Sequence, residues 1–554
     1  VPASPISPSR LASSRVRAVA LVAVVFTFLF SAYIFTASAD LFSTGDTTIR
    51  VELAENVIGR HSLDLNGWKI QYAPHVKKEA YDPRVSVGRE GKTYSTYLPG
   101  QPLAIIPFDY TGSQLAIHFH WPYGPTVLWV ARLVGPLFGA LEVTLFFMFA
   151  MRLGYSLRRS LALSLIFGFA TSVWPDEQSV LEHTEVAFFL LLAMYCAYRF
   201  REQRRGMWYL MFAGSAIGGA VITRYQDALL GLLALGLYLI LPGGMDRAVR
   251  DRVARLIMVG IGIVPFAGFI MWYNWFRFGS VTASGHYETV FGYTIWKGAL
   301  GLLVSPGKGL LWYCPVIFLL ALAGPRFARR FPALTIAFGA MTAGFFLLYG
   351  YVTYWHGDPA WGPRYMYATL PFLILPLGEL FRDSIRKAPA IWVAALALIG
   401  ASFVIQVAAV SVSPWRSWYK VISYEENQGH SWSWFAARYR YHWNYHESPL
   451  NFQVHGLYAL ASDGLLHSNK YEIVPPDEDP ILDQMTVDYG VNQWNLWWKS
   501  DEFDWWMGRQ KIIAMVTVLL ALMAASGTYL VAEAAGAFDA SPAERGERLV
   551  TEAA

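Results

Sequence analysis

The chain has 554 residues, 55% of them apolar and 16% aromatic, and only 15% are charged. Soluble globular domains carry about 25% charged residues, so this composition excludes an ordinary soluble fold. The net charge of +4 is small for the length and sits in short Arg-rich connections, which speaks for membrane topology and against nucleic acid. Residues 1–17 are Ser/Pro-rich and basic and lead into an apolar run at 18–38. A cleaved signal peptide is the competing reading, because Ala37-Ser38-Ala39 resembles a cleavage site, but the length of the run favours an uncleaved first helix. Runs able to cross about 30 Å of hydrocarbon follow near 127–151, 159–175, 184–199, 207–225, 227–243, 254–274, 309–325, 332–352, 366–381, 389–412 and 510–534. The expected fold class is an all-α polytopic membrane protein with about 12 transmembrane helices.

The connections between these runs alternate in character. One set is short and basic: Arg10/Arg15/Arg17, Arg152/Arg158/Arg159, Arg199/Arg201/Arg204/Arg205, Arg247/Arg250/Arg252/Arg255, Arg326/Arg329/Arg330 and Arg382/Arg386/Lys387. The positive-inside rule places this set, and both termini, in the cytoplasm. The other set, 39–126, 175–184, 274–308, 353–365, 413–509 and the tight Arg224–Asp227 turn, then lies outside. This organisation gives a membrane core over 1–412, an aromatic-rich outer segment over 413–509, a last helix at 510–535 and a polar tail at 536–554. No internal repeat or inverted symmetry is visible. Cys196 and Cys314 both fall in apolar runs, so no disulfide framework is expected.

In the first outer loop, Ile49, Leu53, Val57 and Ile58 have helical spacing, which predicts an interfacial amphipathic helix. Asp46 stands at its start, either as a plain N-cap or as a carboxylate able to deprotonate an acceptor hydroxyl. Further on, Pro99, Pro102 and Pro107 are expected to break any long helix. His118 and His120 lack spaced partners for a metal site, and none is expected. Ser305-Pro306-Gly307-Lys308-Gly309 opens into a helix and offers free N–H groups with a cation, which suits a phosphate, or is a plain turn with a snorkelling lysine. Trp355 to Tyr365 reads partly as an aromatic belt, yet Arg364 gains nothing from a helix start, and a lipid phosphate would account for it. Arg224 is either a phosphate ligand or the partner of Asp227, the pair being favoured. Glu142 lies mid-span and is expected to bond a neighbouring helix. The outer segment 413–509 holds ten of the 22 Trp, and its interior members suit glycan stacking.

These motifs in this order resemble the polyprenyl-phosphate-dependent C-type glycosyltransferases, in the bacterial family-39 group allied to protein O-mannosyltransferases and the lipid A aminoarabinose transferase. The matching stretches are Gly45-Asp46 with Arg50, Tyr94 to Leu103 with Tyr97, Arg132-Leu133 opening the second helix, Ser305 to Tyr313, and Trp355 to Tyr365 running into Leu370-Pro371-Phe372. The resemblance implies a C-type fold and transfer of a sugar from a polyprenyl-phosphate donor to a glycan, lipid or protein acceptor. Transfer would take place with inversion on the outer face of a bacterial inner membrane. It implies Asp46 as the catalytic base and Lys308 and Arg364 as ligands of the leaving phosphate. Arg50, Tyr97, Arg132, Arg224, His356, Asp358 and Trp361 enter as further substrate-binding candidates. No cofactor beyond the lipid-linked donor is expected. Many relatives carry an Asp-Glu pair where this chain has Asp46-Thr47, so a second carboxylate is absent there or displaced. A lipid-linked sugar flippase and a non-catalytic membrane scaffold are the alternatives.

Overall fold

The computed structural model describes residues 8–39, 45–65, 84–178, 181–203, 206–241, 249–285, 291–357, 360–381, 388–413, 442–462 and 494–536. In chain order the helices are α1 (Pro8–Phe35), α2 (Gly45–Arg60), α3 (Gly100–Phe119), α4 (Tyr123–Arg132), α5 (Val134–Arg152), α6 (Leu157–Phe169), α7 (Val173–Asp176), α8 (His183–Gln203), α9 (Trp208–Thr223), α10 (Tyr225–Ile240) and α11 (Val249–Phe278). They continue as α12 (Ile295–Val304), α13 (Leu310–Tyr313), α14 (Leu320–Arg330), α15 (Pro332–Tyr351), α16 (Leu370–Ile374), α17 (Pro389–Ser411), α18 (Pro449–Ser462), α19 (Asp501–Met507) and α20 (Arg509–Ala535). A two-stranded antiparallel ribbon, β1 (Val85–Val87) and β2 (Thr93–Ser95), pairs Val85 with Ser95 and Val87 with Thr93.

Six helical stretches among the described residues are long and apolar enough to cross a membrane: Val16–Phe35, Tyr123–Arg152, Val249–Phe278, Pro332–Tyr351, Pro389–Ser411 and Arg509–Ala535. The protein is a multi-pass, mostly helical membrane protein. Of the other expected spans, 184–199 lies within the unbroken 21-residue α8, and the rest are shorter or broken. The run expected at 309–325 is split into α13, a 3-10 turn at Pro315–Leu319 and α14, and the run at 366–381 alternates between 3-10 and α geometry. Proline explains both breaks, since Pro315, Pro371 and Pro376 each lack the N–H that a continuous helix needs.

Two local expectations are corrected. Residues 100–119 form one 20-residue helix despite three prolines. Pro99 occupies the cap position and Pro102 the first turn, where a missing N–H costs nothing, so only Pro107 interrupts the ladder. Arg132 ends α4 and does not open the second span, whose helix starts nine residues earlier at Tyr123 and bends at Leu133.

The main apolar core, in which Phe146, Phe167, Leu191, Leu235 and Phe345 are fully buried, is accompanied by two smaller clusters, one around Trp129 and Trp497 and one around Val51 and Ile105. Small residues set the tightest crossing. A Cβ at Gly214 on α9 would run into the Val259 carbonyl, and one at Gly262 on α11 into the Met211 carbonyl. Close backbone approach through small residues is how helices associate where burying apolar surface gives no gain. On the opposite flank α20 packs along α1. There Trp497 is fully buried and donates to the Ile34 carbonyl at 2.8 Å, and Trp498 donates to the Phe35 carbonyl at 2.9 Å. These two tryptophans pin the outer segment to the end of α1, so they are not free to stack a glycan. Trp505 is 79% exposed, whereas Trp506 is buried against Phe503. Trp415, Trp418, Trp432 and Trp434 lie outside the described residues.

Candidate functional site

The predicted amphipathic helix forms as α2, with Ile49 and Leu53 buried. Asp46 sits in its first turn, where a carboxylate is stabilised by the helix dipole. Arg50 lies one turn on and therefore shares its face. Both side chains meet Tyr97, which follows β2. The Tyr97 hydroxyl donates to the Asp46 carboxylate, and the Arg50 guanidinium stands 4.3 Å from the Tyr97 ring centroid. Burial, reinforced by Asp46, pushes the Tyr97 phenol well above its ordinary pKa and keeps it a donor.

Glu182, immediately before α8, joins this face to the next. Its carboxylate lies 2.5 Å from Arg50 and 3.1 Å from Arg224. Burial works to raise the Glu182 carboxyl, but Arg50 and Arg224 together with His183 outweigh it and hold it well below the usual carboxylate range. Arg224 occupies an extended break between α9 and α10. Its Nε lies 3.0 Å from the Tyr349 hydroxyl and 3.4 Å from Asp227. Tyr349 stacks on Tyr365 at 4.4 Å and 5°. Next to Tyr365, Arg364 is half-buried, and the glycines at 357 and 362 that precede it in the chain are left-handed.

Asp46, Arg50, Tyr97, Glu182, Arg224, Tyr349, Arg364 and Tyr365 line a single cavity of about 460 Å³. Its charged lining is three guanidinium groups against two carboxylates. Gln101, Tyr225, Gln226 and Phe291 complete its polar and aromatic wall. Such a cavity can take a phosphate among the arginines with a carboxylate close by.

Of the sequence candidates, Asp46, Arg50, Tyr97, Arg224 and Arg364 are therefore brought together, and the others that the structure describes do not line the cavity. Lys308 is 1% exposed and does not line the cavity; its Nζ donates to the Ala360 carbonyl and faces Asp176. Burial raises the Asp176 carboxyl to about 8 against the pull of Arg364 and Lys308. Arg132 donates to the Gln178 carbonyl at 2.9 Å. His356 stacks on His442 at 4.8 Å, and Trp361 donates to Gln406 at 3.2 Å. Asp358 lies outside the described residues. Glu142 accepts from the Tyr367 hydroxyl at 3.0 Å across two helices. No group of three or more His, Cys, Asp or Glu among the described residues is placed to hold a metal.

Glu182 is the residue that motif reading passed over. The signal available was an acid beside His183 at the start of a span, in the short connection 175–184.

Residues 123–272 match the family described as dolichyl-phosphate-mannose-protein mannosyltransferase. That match covers less than half of the chain, which is similar to the family over this segment. Within the matched segment, from α4 into α11, fall Arg132, Glu182 and Arg224. Among solved structures the chain is similar to ArnT from Cupriavidus metallidurans in the apo state, at 13% identity over 92% of this chain and 77% of that one, with a TM-score of 0.45. ArnT bound to undecaprenyl phosphate is similar at 14% identity over 94% and 79%, with a TM-score of 0.42. The Archaeoglobus fulgidus oligosaccharyltransferase in the apo form is similar at 13% identity over 74% and 58%, with a TM-score of 0.44. At these scores the three likenesses are of outline only. No curated protein matches.

Proposed function

We propose that the chain is a membrane glycosyltransferase that moves a sugar from a polyprenyl-phosphate donor to an acceptor hydroxyl, with inversion, on the outer face of a bacterial inner membrane. The observation that carries this reading is the convergence of one carboxylate, Asp46, with three guanidinium groups in one cavity. In this reading Asp46 takes the proton of the acceptor hydroxyl, whose oxygen attacks the anomeric carbon from the face opposite the phosphate. The bond from that carbon to the phosphate oxygen breaks, and the lipid phosphate departs with an added negative charge. Arg50, Arg224 and Arg364 stand where that charge develops, already oriented by Glu182, Tyr349 and Tyr97. Lys308 is assigned instead to holding the 360 region against Asp176, because it is enclosed away from the cavity. The aromatic segment 413–509 is assigned to the acceptor side.

Outer-face placement is supported by Arg199 and Arg201 at the far end of α8 from Glu182, and by Arg329 and Arg330 at the far end of α15 from Tyr349. The test is transfer from a panel of undecaprenyl-phosphate sugars in proteoliposomes, together with binding of undecaprenyl phosphate itself. The Asp46→Asn variant is expected to fold and bind undecaprenyl phosphate but to transfer nothing. Full transfer by Asp46→Asn would remove the base from the mechanism. Movement of labelled lipid-linked sugar between leaflets, with no transfer, would favour a flippase.

A further inference from the structure

Arg277 closes the last turn of α11, does not line the cavity, and is fully buried. Its Nη1 donates to the carbonyls of Ser95 and Tyr97, the latter at 3.4 Å. Its Nη2 donates to Asn274 Oδ1 at 2.9 Å and its Nε to the Tyr273 carbonyl at 3.4 Å. The guanidinium lies 3.8 Å from the Tyr273 ring centroid and 4.7 Å from that of Phe278. No described carboxylate pairs with it. A buried cation met only by carbonyls and ring faces carries a desolvation penalty, and an apolar side chain would fill the same space without it. What an apolar side chain lacks is the rigid fork of donors that ties down two carbonyls flanking one residue.

Those two carbonyls flank Thr96, at the point where β2 hands the chain to Tyr97. The ribbon is held to the same helix end from its other side. A Cβ at Gly88 would run into the Arg277 carbonyl, and the Tyr94 ring packs edge-on against Phe276 and Phe278. Tyr97 in turn touches both halves of the cavity, donating to Asp46 and lying under Arg50.

We propose that Arg277 is a positioning residue for transfer: by clamping the Ser95 and Tyr97 carbonyls it sets the register of Tyr97 against Asp46 and Arg50. The proposal rests on reading the cavity as a phosphate site. A cation that merely finished α11 would affect stability and would not act through Tyr97.

The test is binding of undecaprenyl phosphate to the full-length protein in nanodiscs, for the wild type, Arg277→Lys, Tyr97→Ala and the double variant, with thermal unfolding measured alongside. Lysine keeps the charge and loses the fork. Arg277→Lys is expected to weaken binding roughly tenfold, the scale of one lost hydrogen bond to a charged group, and to add nothing on the Tyr97→Ala background. If Arg277→Lys does not fold, Asn274→Ala removes only one acceptor of the guanidinium and is expected to give a smaller loss that is again absent on the Tyr97→Ala background. Wild-type affinity in the folded variant, or losses that add, overturns the inference alone. Failure of the wild type to bind overturns the phosphate reading and the inference with it.

Discussion

Glu182 shows how much a single buried anion decides in this cavity. It lies between Arg50 and Arg224, which without it would repel one another across the cavity. Removing one partner of a buried ion pair typically costs about 3–5 kcal/mol. Glu182→Gln is therefore expected to lower the unfolding temperature and, in whatever fraction folds, to weaken undecaprenyl phosphate binding more than Arg132→Ala does. The folded carboxyl is held below the ordinary value of about 4.3. Its stabilisation is thus fully present above that value and is lost only as pH falls through the lower folded one, so Glu182 itself should impose no loss of binding between pH 5 and 8. Asp176 has the opposite sign. Its folded pKa of about 8 lies above the unfolded value of about 3.9, so its stabilisation is present below pH 4 and is lost as pH rises through 8. Asp176→Asn, which carries no charge at any pH, is expected to unfold at a higher temperature than the wild type at pH 9 and to differ less at pH 5; calorimetry at the two pH values checks this.

Among elements, α2 was legible because its apolar positions repeat every three to four residues, and two of the four, Ile49 and Leu53, are fully buried. The helix at 100–119 was not legible, because proline counting says where a ladder bond is missing and not whether the rest of the helix survives. The two broken spans failed for the converse reason. Apolar length alone does not distinguish one straight helix from short pieces packed in protein, where freed backbone groups find other partners; the Val316 N–H, for one, is accepted by the Ser402 hydroxyl at 2.7 Å. The α9–α11 crossing depends on two glycines whose role appears only when the helices are docked. Gly262→Leu is expected to push α11 from α9 and lower the unfolding temperature by more than Gly268→Leu, a position on the same helix with open space around it.

For the whole molecule, topology is the property that sequence and structure approach from different sides. With Cys196 and Cys314 both buried, single exposed cysteines can report sidedness. Ser280→Cys is expected to react with a membrane-impermeant maleimide from outside, and Arg329→Cys only after the membrane is opened. The reverse pattern would invert the cavity's side. The sequence by itself determined that the chain crosses membranes repeatedly, because apolar length acts locally on each segment as it meets the bilayer, and its arginine placement gives the expectation of which connections share a face. It also carried the motifs that contain Asp46, Arg50, Tyr97, Arg224 and Arg364. Only the tertiary structure decided that these five meet, that Glu182 completes them, and that Lys308, His356, Trp361 and Arg132 turn inward to other partners. The physical reason is that a side chain's partners across hundreds of residues depend on how helices rotate and break against one another, and no local pattern encodes that rotation.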